Sequence, residues 1–93
     1  MKLKYTPRAE DDLRLAIRWY EDQRKGLGLE FLDCIEFAIK RILAFPESYE
    51  KPYASFHRCT VRRFPFSIFY TIEDGTIIIH AIFDNRQDPV NLP

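Results

Sequence analysis

Residues 59–89 read CTVRRFPFSIFYTIEDGTIIIHAIFDNRQDP, and this stretch decides the fold. It predicts three short strands followed by a polar tail. The first strand begins at Cys59 and runs to about Arg62. Pro65 cannot donate a hydrogen bond to a neighbouring strand, so the chain is expected to turn there. The next two strands form a hairpin around Asp74-Gly75, a dipeptide typical of a type I′ turn.

The predicted hairpin has two different faces. Its expected cross-strand pairs are Glu73–Thr76, Ile72–Ile77, Tyr70–Ile79 and Ile68–Ala81. The face that carries the last three pairs is almost wholly apolar and is expected to take the helices. The other face carries Ser67, Phe69, Thr71, Ile78, His80 and Ile82, with Phe69 opposite His80. This second face is either a site for a partner or a surface that a loop covers, and the sequence leaves both open.

The upstream half of the chain predicts a strand and two helices. The strand is Lys2–Tyr5, and the first helix runs from Pro7 to about Lys25. The stretch 26–28, Gly-Leu-Gly, is a short turn, so a second helix over 29–45 should pack antiparallel to the first. We therefore expect an α+β fold in one domain, residues 1–93: an N-terminal strand, a helical hairpin and a three-stranded antiparallel sheet.

Two large apolar residues lie off the core stripe of the first helix. Leu15 and Trp19 are four positions apart, so they share a helix face roughly opposite the one that is expected to pack on the sheet. One interpretation is that Trp19 folds over the neighbouring helix. The alternative is a ridge that binds a partner.

Composition limits the classes of function. The chain has 93 residues, of which 46% are hydrophobic, and it carries 14 basic and 14 acidic residues. This balance gives no sign of a nucleic-acid or membrane partner for the chain as a whole. No apolar run approaches 18 residues, which predicts a cytoplasmic protein. Cys34 and Cys59 fit a reducing compartment, and no metal-ligand spacing or cofactor motif is present.

Basic residues cluster around the first sheet strand. No acidic residue occurs from Lys51 to Ile72, a segment that contains three arginines. RNA cleavage needs a base, an acid and cations that hold charge on phosphorus, and Arg62, His80 and Arg86 could supply parts of this. A basic strand end equally suits an acidic protein partner.

Several short motifs resemble one family. They are Trp19-Tyr20-Glu21, Gly26-Leu27-Gly28 followed by Phe31-Leu32, Phe45-Pro46, Val61–Phe66 leading into Phe69-Tyr70, and Arg86 before Asp88-Pro89. With these motifs and the order strand, helix, turn, helix and three strands, the chain resembles the ParE/RelE superfamily of bacterial toxins. The motifs together are most similar to the ParE branch of that superfamily. The resemblance covers nearly the whole chain.

The resemblance implies a toxin that a small cognate antitoxin neutralises, in a heterotetramer or larger complex. ParE members poison DNA gyrase, and RelE members cleave messenger RNA on the ribosome. The expected target-binding residues are Arg62, Arg63 and Arg86. The expected antitoxin-binding residues are Leu15, Trp19, Phe69, Ile78, His80 and Ile82.

The choice of target depends on a few positions. Ser67 stands where RelE-like members carry an arginine, and the C-terminal residues 90–93 contain no aromatic residue. The resemblance therefore favours a non-enzymatic inhibitor of gyrase. Two alternatives stay open: a ribosome-dependent endoribonuclease using Arg62, His80 and Arg86, and a degenerate member that only binds an antitoxin.

Overall fold

The structure, a computed structural model, describes all residues from 1 to 93. Its elements are β1 (Lys2–Tyr5), α1 (Pro7–Gln23), α2 (Leu27–Ala44), β2 (His57–Thr60), β3 (Phe66–Glu73), β4 (Thr76–Asp84) and a 3-10 turn (Pro89–Asn91). The sheet order is β1-β4-β3-β2. The pairs β2–β3 and β3–β4 are antiparallel, whereas β1 joins β4 in parallel. The predicted α+β fold is confirmed, and the parallel β1 makes the sheet a mixed one.

The turn between the helices covers residues 24–26, two positions earlier than the predicted 26–28. Only Gly26, with a φ of +89°, has a left-handed conformation there, while Leu27 and Gly28 already belong to α2. A Cβ on Gly28 would lie 2.8 Å from the carbonyl oxygen of Ile17, so glycine lets the two helices approach closely. The Glu21 carboxylate accepts hydrogen bonds of 3.0 Å from the backbone N–H groups of Gly26 and Gly28. This carboxylate stabilises the beginning of α2.

The β3–β4 register follows the prediction from the turn as far as the pair Tyr70–Ile79 and then shifts. Beyond the shift Phe69 pairs with Ala81, because His80 is one extra residue in β4. Since a one-residue slip exchanges the two faces of a strand, the side chains beyond it turn over. The predictions that Ile82 lies on the second face and that Phe69 opposes His80 are therefore wrong.

The bulge divides the buried residues of the sheet between two clusters. The main cluster lies between the sheet and the helices and includes Phe31, Ile35 and Ile82. A smaller cluster on the second face consists of Phe69, Ala81 and Phe83, and it is packed against Tyr53, Phe56 and Leu92. A loop and the C-terminal tail therefore cover this part of the second face.

Strand β2 begins and ends before the predicted limits, His57–Thr60 in place of Cys59–Arg62. Arg62 and Arg63 consequently lie in the turn between β2 and β3, where Arg63 has a φ of +70°.

None of the helices is long and apolar enough to cross a membrane.

Candidate functional site

The two arginines of the β2–β3 turn have different surroundings. Arg63 forms an ion pair of 2.8 Å with Glu30 near the beginning of α2. The same carboxylate also pairs with Arg24 at 3.1 Å, and the two arginines, Arg63 first, lower the pKa of Glu30. Arg62 pairs with no carboxylate; its guanidinium lies 5.2 Å from the centre of the Phe37 ring. Arg62 is therefore the cation of this turn that is free to meet an anion.

Arg86 is held by the carboxylate of Asp84. Its Nε and Nη2 atoms donate to the two oxygens of Asp84 at 2.9 and 2.8 Å, and its backbone N–H donates to one of them. The bonds from the Arg86 side chain are the main reason that the pKa of Asp84 is lowered. This bidentate pair fixes the direction of the guanidinium.

A cavity of about 570 Å³ lies beside Arg86, between α1 and the end of β4. Leu15 and Trp19 line it together with Arg86, Asp84 and Tyr20. Leu15 is 55% exposed and Trp19 is 52% exposed, with the Trp19 ring edge-on to Tyr20 at 5.1 Å. The structure thus places two residues predicted to bind an antitoxin next to one predicted to bind the target.

His80 is the bulged residue of β4 and lies half-buried on the second face. Thr71 Oγ1 donates to Glu73 at 2.9 Å and lies 2.8 Å from His80 Nε2. A hydroxyl has one hydrogen, so Nε2 is the donor to Thr71 and carries the ring proton. Burial lowers the pKa of His80 from its ordinary value, and Glu73 opposes this effect. His80 is accordingly neutral at pH 7 and serves as a hydrogen-bond donor within the sheet.

The expected antitoxin-binding residues divide by exposure. Phe69 is 1% exposed and Ile82 is 2% exposed, because the small cluster covers the first and the helices cover the second. Both side chains are buried within the chain, so the expectation that they form part of an exposed antitoxin-binding surface is wrong. Leu15 and Trp19 are exposed, and Ile78 and His80 are half-buried, so these four remain the accessible members of the set.

The structure does not bring Arg62, His80 and Arg86 together. Arg62 lines two cavities beside α2, and Arg86 lines the cavity beside α1. His80 lines none of these three cavities. No group of three or more His, Cys, Asp or Glu side chains is placed to hold a metal ion.

Sequence reasoning missed the partners of the arginines. Glu30 and Arg63 are 33 positions apart, and no local pattern links them. Asp84 and Arg86 are two apart, and an acid followed closely by an arginine is a signal that could have indicated this pair. Arg41, which lines a cavity with Arg62, was not singled out from the sequence either.

Comparison with known proteins gives the family. The model of the family described as ParE toxin of type II toxin-antitoxin system, parDE, matches residues 3–89. A solved structure described as a chromosomal ParDE TA system from P. aeruginosa matches with a TM-score of 0.79 and 23% identity, covering 90% of this chain and 95% of that chain. This likeness shows a shared fold. A comparison with curated proteins finds no match. Because the family model spans nearly the whole chain, the chain belongs to the ParE toxin family of type II toxin–antitoxin systems.

Proposed function

We propose that this toxin inhibits DNA gyrase in the cytoplasm and that a cognate antitoxin neutralises it. The observation that carries the proposal is the match of residues 3–89 to the ParE toxin family. The arrangement of exposed arginines at the ends of the sheet supports it, since exposed guanidinium groups recognise carboxylates and phosphates through paired hydrogen bonds.

The three proposed target-binding arginines differ in what they give up on binding. Arg62 breaks no ion pair. Arg63 leaves Glu30, but Glu30 keeps its ion pair with Arg24, so the exchange leaves no carboxylate unpaired. Arg86 would leave Asp84 with one backbone N–H donor only. Arg62 and Arg63 are therefore the arginines we propose to bind the target directly. Arg86 is proposed to contact the target while it stays paired with the Asp84 carboxylate.

The antitoxin is proposed to cover the cavity beside α1. Leu15 and Trp19 offer apolar surface there, and half-exposed aromatic side chains of this kind are frequent anchors of protein interfaces. Since Arg86 lines the same cavity, an antitoxin bound to Trp19 lies against Arg86 as well. Ile78 and His80 would extend the contact on the sheet, in a complex that is a heterotetramer or larger.

The test is supercoiling by purified gyrase with the purified toxin titrated in. We expect inhibition by the wild-type toxin and weaker inhibition by Arg62→Gln. Arg18→Gln is the matched control, because Arg18 is an exposed arginine on α1 that pairs with no carboxylate.

Three outcomes contradict different parts of the proposal. No inhibition at a large excess of folded toxin would exclude gyrase as the target, and transcript mapping on ribosomes would then test the nuclease. Full inhibition by a triple alanine variant at Arg62, Arg63 and Arg86 would exclude the residue assignment alone. No growth arrest on induction of the wild type would favour a degenerate member that only binds an antitoxin.

A further inference from the structure

Three arginines form no ion pair with a carboxylate, and two of them share a cavity. The three are Arg18, Arg41 and Arg62; every other arginine lies within 4.0 Å of an acidic oxygen. Arg41 and Arg62 line a cavity of about 360 Å³ between α2 and β2. No acidic residue lines this cavity. Its surface therefore carries two positive charges that the chain itself does not neutralise.

Aromatic side chains hold both guanidinium groups in place. Arg41 Nε donates a hydrogen bond of 3.2 Å to the hydroxyl of Tyr49, and Arg62 lies over the ring of Phe37. Both rings line the cavity. An adjoining cavity that shares Phe37 and Arg62 is also lined by Asp33, which forms no ion pair with Arg62.

One hydroxyl group lies beside the two arginines. It belongs to Tyr49, which lines the cavity and accepts the hydrogen bond from Arg41. The thiol of Cys59 also belongs to a lining residue, and burial raises its pKa, so it adds no negative charge. Two guanidinium groups suit an oxyanion that accepts several hydrogen bonds at once.

The shape of the cavity separates the two common biological oxyanions. Phosphates of duplex DNA project from a convex surface and are contacted by cations that extend outward. Here the cations border a recess whose walls include Phe37, Ala38 and Cys59, which suits an anion at the end of an apolar stem. The carboxylate of a glutamate side chain has this form.

We propose that the cavity between Arg41 and Arg62 binds a glutamate carboxylate of an acidic peptide segment. Arg62 is one of the proposed target-binding residues, and the proposal names the chemical group that it binds. In this respect it rests on the proposed function. It adds Arg41 as a binding residue. Because both arginines are exposed to water, the affinity of one isolated carboxylate is expected to be weak.

The experiment is an NMR titration of the full-length, ¹⁵N-labelled chain with a blocked tetrapeptide that carries two glutamates. The Nε–H resonances of Arg41 and Arg62 report on the site. We expect both to shift in a saturable way, and the glutamine version of the peptide to leave them unchanged. Arg41→Gln is expected to bind the peptide about tenfold more weakly, the effect of losing one charge-assisted hydrogen-bonding partner.

The control is Arg18→Gln, which removes the same charge outside the cavity and should bind as the wild type does. If Arg41→Gln does not fold, Arg62→Gln takes its place. Equal weakening by Arg18→Gln would show non-specific charge attraction and overturn the proposal. Shifts caused by inorganic phosphate or a short DNA duplex, with none from the peptide, would overturn the choice of carboxylate. The titration contains no gyrase, so its failure is separate from failure of the supercoiling test.

Discussion

Replacing Trp19 by alanine should weaken antitoxin binding far more than the same truncation of an exposed aromatic residue outside the cavity. Trp19 is 52% exposed and lines the cavity beside Arg86. Aromatic side chains bury up to about 250 Å² each, so covering the exposed half would remove roughly 100 Å² of surface from water. At about 25 cal/mol per Å² this contributes about 2.5 kcal/mol to binding. The expected loss is therefore about 70-fold in affinity for the antitoxin.

The fold also loses stability. The half of Trp19 that is buried within the chain contributes about 2.5 kcal/mol on the same scale, and the edge-on contact with Tyr20 adds about 0.5–1.5 kcal/mol. Isothermal titration calorimetry with the cognate antitoxin measures the affinity, and urea unfolding of the toxin alone measures the stability. Phe45→Ala is the matched control, since Phe45 is an exposed aromatic residue that lines none of the cavities. Unchanged affinity in Trp19→Ala, or an equal loss in Phe45→Ala, would refute the reasoning.

Two further predictions concern stability. Gly28→Ala should destabilise the chain by about 1–2 kcal/mol, because the clash with the backbone of Ile17 outweighs the higher helix propensity of alanine; a higher urea midpoint would contradict this. The pKa of His80 is lower in the folded chain than in the unfolded one, so the neutral ring favours folding. This contribution to the free energy of unfolding is present above about pH 6.5 and is lost as the pH falls through the lowered folded pKa. His80→Asn should therefore lose less stability than the wild type between pH 7 and pH 5, and equal losses in urea unfolding would argue against the assignment.

The sequence could predict the β3–β4 hairpin because the Asp74-Gly75 turn sets its register locally. It could not predict where that register shifts. Strand β1 pairs with β4 only as far as Ile79, and beyond this point the Asp12 carboxylate of α1 accepts the backbone N–H of Ile82 at 3.1 Å. The bulge at His80 therefore lies where α1 takes over from β1 as the element beside β4. Both contacts join distant parts of the chain, so no local pattern predicts them.

The candidate site was predictable in its residue types and not in its grouping. The acid-free segment around Arg62 and Arg63 indicates a basic surface, and both residues are exposed. The sequence gives no distance between Arg86 and Trp19, which line one cavity from opposite ends of the chain. It also gives no reason to join Arg41 on α2 to Arg62 in a later turn. These groupings arise only when the helices pack on the sheet.

The carboxylate of Glu21 also bears on the order in which the chain folds. The two backbone N–H groups that donate to it lie five and seven positions further along the chain, so the link between α1 and α2 closes a very short loop. By contrast, the contact between Thr6 and His80 joins residues 74 positions apart. Short loops close at lower entropic cost, so the helical hairpin is expected to assemble early and to offer β1 and β4 a surface on which to pair. Mutations at Glu21 should then slow folding, whereas mutations at Thr6 should mainly speed unfolding.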